Sequence, residues 1–243
     1  TEDDVTRPAF SLPVGRMPLS RAIGLLKEYC RAHRAMPLTF SAVPEERLEE
    51  LRALGASEVT PLADWSDYLY SAEALTTLSG KKLSKKRNHV NRFMADWPDY
   101  TLDPITSENI ADVKAFYEAY NLPLSKPALA EIERAQVFEV LDNLDRYPFE
   151  GAVLRVGPDR RIVAFAIGEV IGDTLYVHIE KMAHAVSGAG AAINKMFAAM
   201  MCGRHPEILY INREEDTGAP GLRYAKESSH PLRKLHKFNV EFR

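Results

Sequence analysis

Residues 149–182 constrain the fold more than any other part of the chain. "GAVLRV", "IVAFAIGEVI" and "TLYVHIEKM" are three strand-like runs separated only by "GPDRR" and "GD". Turns this short, built on glycine and aspartate, join antiparallel neighbours, so the runs predict a contiguous antiparallel sheet. Directly after it, "GAGAAINKMFAAMM" has the length and apolar content of a buried helix, and "EILYINREE" returns as a strand. Upstream, "YTLDPIT" predicts a strand, Ser107 with Glu108 the start of a helix reaching about Tyr120, and "KPALAEIERAQVFEVLDNLDRY" a second helix. Downstream come a short helix, "APGLRYAKES", and a closing strand, "RKLHKFNVEF". This order of elements is compatible with few α/β folds having a mixed sheet.

The N-terminal part is thinner. "FSLPVG" (Phe10 to Gly15) and "MPLTFSAV" predict strands, and "PLSRAIGLLKEYCRAH" and "PEERLEELRALGA" predict helices. "EVTPLADWSDYLYSAEAL" reads as extended structure running into a short helix that ends at Gly80. The chain starts at Thr1 in the polar "TEDD", and an N-terminal portion is expected to be missing. Three blocks are predicted: a partial α/β domain over 1–80, a basic linker helix over 81–99, and a fuller domain over 100–243.

With 243 residues, 46% of them hydrophobic, the chain can bury one large core or two moderate ones. A formal net charge of −3 argues against coating nucleic acid through the overall field, while leaving room for a local basic patch. Cys30 and Cys202 sit in apolar surroundings without metal-ligand spacing, as small core residues do in a reducing compartment. No apolar run approaches the roughly 20 residues that span a bilayer, and a cytoplasmic protein is expected.

Four features are site-like. In "TLYVHIEKM", Leu175, Val177 and Ile179 alternate with Tyr176, His178 and Glu180. The second row is the candidate catalytic set: a general base with its orienting partner, His178 and Glu180 being close enough at i, i+2 to share a proton or a water. The plainer reading is a solvent-exposed face. Gly188, Ala189 and Gly190 open a helix, where backbone N–H groups and the helix dipole favour a donor phosphate. That turn matches neither the phosphate-loop nor the dinucleotide fingerprint, and a glycine-rich turn is more often only a turn. Asn212, Arg213, Glu214, Glu215 and Asp216 gather at a strand end, a common place for a binding site in α/β proteins. Glu214 and Asp216 lack a matching histidine, so no metal site is expected.

The fourth feature is "KKLSKKRNHVNRF", with six Lys or Arg in thirteen residues. On a helix, Leu83, Val90, Met94 and Trp97 make an apolar stripe, and Lys81, Lys85, His89 and Arg92 fall opposite it, as on any wet amphipathic helix. Arg87 lies about 40° from the centre of the stripe. A charge there needs a partner, and an acidic residue of "NREED" is the expected one.

In combination, "DYLYSAEALTTLSGKKLSKKRNHVNRF", "YVHIEKM", "GAGAAINKMF" and "YINREEDTGAPGLRYAKESSHP" resemble a bacterial family related to the C-terminal domain of phosphatidylglycerol lysyltransferases. The resemblance implies tandem GNAT-like acyltransferase domains, the first incomplete here. It also implies an acyl or aminoacyl transferase, with coenzyme A thioester or aminoacyl-tRNA as donor and an amine or hydroxyl as acceptor. Tyr176, His178 and Glu180 would then carry the chemistry. Gly188, Ala189, Gly190, Lys85, Lys86 and Arg87 would hold the donor phosphates, with Asn88 beside them. The competing reading is a non-catalytic GNAT-like binding module that has lost its donor. Donor and acceptor both stay open on the sequence.

Overall fold

The computed structural model describes residues 8–33, 36–120 and 127–243. In chain order the elements are α1 (Leu19–His33), β1 (Leu38–Pro44), α2 (Leu48–Ala53), β2 (Glu58–Pro61), β3 (Asp67–Ser71), α3 (Ala72–Thr77) and α4 (Ser84–Asp96). These are followed by β4 (Thr101–Pro104), α5 (Ile110–Tyr120), α6 (Pro127–Asp142), β5 (Phe149–Val156), β6 (Arg161–Ile171) and β7 (Thr174–Met182). The chain closes with α7 (Ala189–Arg204), β8 (Tyr210–Asn212), α8 (Pro220–Glu227), β9 (Arg233–Leu235) and β10 (Lys237–Phe242). They form two compact units. The first is Thr1–Asp67, Glu215–Pro220 and Lys234–Arg243, and the second is Tyr68–Glu214 and Gly221–Arg233.

The first unit is built on an antiparallel sheet of order β1-β10-β2. Alternate residues of β10, Val240 and Phe242, turn inward, and the Phe242 ring meets Phe40 edge to face at 5.9 Å. Leu38, Val43 and Leu51 complete this core with Ile23 and Cys30 of α1. Two sequence expectations change here. "FSLPVG" forms only a single bridge, Phe10 to Phe40, because Pro13 has no N–H to extend a ladder. "RKLHKFNVEF" divides at His236 into β9 and β10, which join different sheets.

The second unit holds the strands β4-β5-β6-β7-β8-β3, in that order, of the larger sheet. β4 to β7 run antiparallel as the turns predict, and β8 returns parallel to β7 after the crossover helix α7. β6 is buried continuously from Ile162 to Gly168, as a central strand covered on both faces must be. α7 covers one face with Ala189, Ala192, Ile193, Phe197, Ala198 and Met201. α5 lies on the other, where Phe116 meets Phe165 edge to face at 6.1 Å.

The division differs from the expected blocks 1–80, 81–99 and 100–243. β3, α3 and α4 belong with the second unit, and β10 belongs with the first. α4 is not a linker but a packed helix whose Val90 and Phe93 are buried. α5 also starts later than Ser107. Asn109 holds the turn before it, accepting from the Thr106 N–H at 3.0 Å and donating to the Pro104 carbonyl at 2.9 Å.

Candidate functional site

β7 and β8 pair only at Thr174–Tyr210, Leu175–Ile211 and Tyr176–Asn212. β8 ends at Asn212, opposite Tyr176, while β7 runs on to Met182 paired with β6 alone. At the same level β7 carries a bulge against β6. Ile167 faces Ile179 and Gly168 faces Val177, so His178 is the extra, unpaired residue. Gly168 is required at this point, since a Cβ there would lie 2.3 Å from the Tyr176 carbonyl oxygen.

The bulge decides which side chains can act together. Ala166 is opposite Glu180 and Gly168 is opposite Val177, so Glu180 shares a face with Val177. Glu169 is opposite Tyr176 and Ile167 is opposite Ile179, on the other face. Contacts agree with this register. Glu180 bonds Asn194 of α7, whereas Lys181 meets Glu133 of α6 and the Tyr117 ring of α5. The expected row is therefore divided: Tyr176 and His178 lie on the α5 side, and Glu180 lies on the α7 side.

On the α5 side, both ring nitrogens of His178 donate to carboxylates. Nδ1 reaches Glu214 Oε1 at 2.6 Å and Nε2 reaches Glu169 Oε1 at 3.0 Å. Phe149 packs against the ring at 5.2 Å, and Tyr176 stacks near it at 6.4 Å. The hydrogen bond to Glu214, with its charge and that of Glu169, raises the pKa above the usual histidine value and outweighs burial. An imidazole with both nitrogens engaged by carboxylates is a bridge, with neither nitrogen free to act as a general base. The stability this bridge contributes is complete below the ordinary histidine pKa and is lost as pH rises through the raised one. Urea midpoints should therefore fall across that window in the wild type, and His178→Gln should flatten the fall.

On the α7 side, Arg213 donates to Glu180 Oε1 at 2.8 Å, and Asn194 Nδ2 donates to Glu180 Oε2 at 3.1 Å. The two charged side chains are only 10% and 12% exposed, so each needs the other. Arg213 lies over the Tyr70 ring at 5.9 Å, and burial holds the Tyr70 phenol protonated while it donates to the Lys226 carbonyl at 2.8 Å. Lys86 of α4 reaches the same region and donates to the Ala225 carbonyl at 3.0 Å. Burial, then the nearby Arg213 charge, lowers its pKa to about 8, with Glu180 opposing in part.

The strand end that connects these two bridges is strained. Glu214 has φ 55, uncommon for a residue with a side chain. Asn212 Oδ1 accepts its N–H at 2.7 Å, and its carbonyl accepts from the Tyr68 N–H at 3.2 Å. The buried Lys226 Nζ donates to the Arg213 and Glu214 carbonyls at 2.5 and 3.1 Å. Asn212, Arg213 and Glu214 thus form one assembly. Glu215 and Asp216 belong to the first unit, where Lys237 donates to Asp67 and Glu215, and Asp216 Oδ1 accepts the Gly218 N–H.

The expected donor residues also separate. A Cβ on Gly188, whose φ is +81, would lie 2.6 Å from the His89 carbonyl oxygen of α4, and one on Gly190 would lie 3.0 Å from Met182 Cε. Ala189 is fully buried. This turn is accounted for by close helix packing. Arg87 does not pair with an acid: it donates to the Leu78 and Gly80 carbonyls at 2.5 and 3.2 Å. Leu78 is the left-handed C-cap of α3, and carbonyls released at a helix C-terminus attract a cation as well as a carboxylate does. Lys85 points outward to Tyr224, and Asn88 lies exposed on α4.

Asn194, Glu169, Tyr70 and Lys226 were not singled out by sequence. Asn194 carries a visible signal, since with Lys195 it interrupts an otherwise apolar helical run. Among the described residues, no group of three or more His, Cys, Asp or Glu is placed to hold a metal ion, and no helix is long and apolar enough to cross a membrane.

Comparison with known proteins agrees with this architecture. A conserved protein of unknown function from Bacteroides thetaiotaomicron VPI-5482 is 32% identical, matching 98% of this chain and 80% of its own with a TM-score of 0.87. The structure of L-PGS from Bacillus licheniformis is 16% identical over 96% of this chain and 76% of its own, with a TM-score of 0.63. FemX, at 12% identity, 91% of this chain and 76% of its own, has a TM-score of 0.57. The last two are likenesses of fold alone, and that fold is a mixed α/β fold. An uncharacterized protein of Mycoplasmoides gallisepticum is 22% identical over 202 residues, 76% of this chain, and the match spans 64% of that relative's length. The family model described as phosphatidylglycerol lysyltransferase, C-terminal, matches residues 3–241, and the chain belongs to that family.

Proposed function

We propose that this chain is an aminoacyl transferase that takes its acyl group from aminoacyl-tRNA and passes it to an amine or hydroxyl acceptor. The observation carrying this reading is the placement of Lys86, with its pKa near 8, beside the Arg213–Glu180 pair at the end of β8. In the transfer, the acceptor attacks the ester carbonyl, a C–N or C–O bond forms, and the bond to the ribose oxygen breaks. Lys86 in its neutral form takes the acceptor's proton and returns it to the departing ribose oxygen. Arg213, fixed by Glu180, supplies positive charge for the oxyanion. Glu180 is a positioning residue, because both of its oxygens are engaged.

Two observations favour the RNA donor over coenzyme A. Lys81, Lys82, Lys85, His89 and Arg92 are exposed together on and just before α4, a surface suited to phosphates. At the Gly188 turn, by contrast, the glycine is already explained by the close approach of the His89 carbonyl of α4, so it gives no separate support for a phosphate cradle. An aminoacyl-tRNA donor places the reaction in the cytoplasm. We read the first unit as the shortened member of a tandem GNAT-like pair.

Unfractionated tRNA should be retarded by the protein in low-salt gels. The Lys81→Ala/Lys82→Ala double variant should lower the slope of log affinity against log salt by about 2. Acetyl-CoA should leave the melting temperature unchanged. A melting temperature raised by acetyl-CoA, with no retardation of tRNA, would contradict the proposed donor.

A further inference from the structure

Tyr224 on α8 is 62% exposed, yet its hydroxyl is not free: Lys85 Nζ donates to it at 2.9 Å. The ammonium is 5.5 Å from the ring centroid, nearly the sum of that contact and the ring's own reach. Lys85 therefore sits at the hydroxyl end of the ring and covers neither face. The bond also holds Lys85 charged. The outcome is a large aromatic face, pinned at one end by a cation of α4, the helix on or just before which Lys81, Lys82 and His89 are also exposed. His230 ties α8's C-terminal side to the same segment, its Nε2 donating to the Lys82 carbonyl oxygen at 3.1 Å. Aromatic faces inside basic surfaces are what single-stranded nucleic acids use, one base stacking on each ring.

The position of the ring relative to the site specifies which nucleotide. Lys85, which holds the ring, is followed directly by Lys86, which turns inward to the Ala225 carbonyl near Arg213 and Glu180. Tyr224 and Ala225 are likewise adjacent on α8, so the ring and Lys86 belong to one contact between α4 and α8. A base stacked on Tyr224 can then extend its own ribose toward Lys86. That fits a nucleotide whose sugar carries the reacting ester, and it does not fit a coenzyme whose adenine is separated from its thioester by a long arm.

We infer that Tyr224 is the stacking platform for the 3′-terminal nucleoside of the RNA donor, and that it makes recognition of that end, rather than of the RNA body, a property of α8. This rests on the donor reading above. The test uses fluorescence anisotropy with two RNA hairpins, one ending in single-stranded CCA and one lacking the terminal adenosine. For the wild type, removing the adenosine should weaken binding about tenfold. Tyr224→Ala should weaken the intact hairpin about tenfold and no longer distinguish the two, and Tyr224→Phe should behave as wild type, since stacking needs the ring and not the hydroxyl.

If both hairpins bind with strong salt dependence but the adenosine makes no difference, or makes the same difference in Tyr224→Ala, the platform assignment is wrong and the donor reading stands. If neither hairpin binds at low salt, the donor reading fails and takes the platform with it. Acetyl-CoA binding that disappears in Tyr224→Ala while hairpin binding is untouched would also overturn the assignment.

Discussion

Lys86→Met is expected to abolish transfer and, at neutral pH, to make the protein more stable. Burial and the Arg213 charge hold the Lys86 pKa at about 8, below its value in the unfolded chain. A depressed lysine is a liability below its folded pKa, where both states carry the proton and the folded state does so at a cost. Between pH 8 and the ordinary lysine value the unfolded chain binds more protons, so stability rises with pH there. Allowing for partial solvent screening, removing the charge should add about 1–2 kcal/mol at pH 7 and little above pH 11. Turnover should fall by at least about 100-fold, the usual contribution of a positioned proton carrier. Urea melts at several pH values measure the first effect. A destabilised Lys86→Met at pH 7 would show that the ammonium is a structural anchor for α8 through Ala225.

Gly168→Ala should have the largest effect on folding. The added Cβ would meet the Tyr176 carbonyl oxygen at 2.3 Å and Leu175 Cδ1 at 3.3 Å, and the first of these is backbone inside a paired strand. Relief requires moving β7 against β6 where the bulge sets the positions of His178 and Glu180. A loss of about 3 kcal/mol is expected, at the upper end for overpacking. Gly203→Ala is the control: it lies near the end of α7, nothing comes within 4 Å of its added Cβ, and it should gain up to about 1 kcal/mol in helix propensity. If both substitutions cost little, the bulge is not rigidly held, and the separation of His178 from Glu180 loses its physical basis.

The antiparallel run from β5 to β7 was legible in the sequence because short glycine turns are local signals, as is the alternating pattern of β7. The alternation along β7 was legible, but the pairing of its side chains was not. Tyr176, His178 and Glu180 alternate in sequence, and only the register with β6 reveals the bulge that sends Glu180 to the other face. The same limit applies to Arg87. Its place near the apolar stripe correctly implied a partner, but Leu78 became the partner through the left-handed C-cap of α3, which no charge pattern signals. Gly188 and Gly190 looked like a phosphate turn because glycine permits close approach by any backbone, and here that backbone belongs to α4. The β10 strand was read with β9 because one residue, His236, separates two runs of similar composition.

The central claim, that the Lys86–Glu180–Arg213 site moves an aminoacyl group from RNA, is tested most directly by following the label. Purified protein is incubated with tRNA charged with a radioactive amino-acid mixture and with a cell extract, separated into water-soluble and lipid fractions, as the source of acceptors. Radioactivity leaving the tRNA is then recovered as ribonuclease-resistant product. The account predicts such a product with the wild type and none above background with Lys86→Met. No product in either fraction with the wild type, or equal product with Lys86→Met, would contradict it.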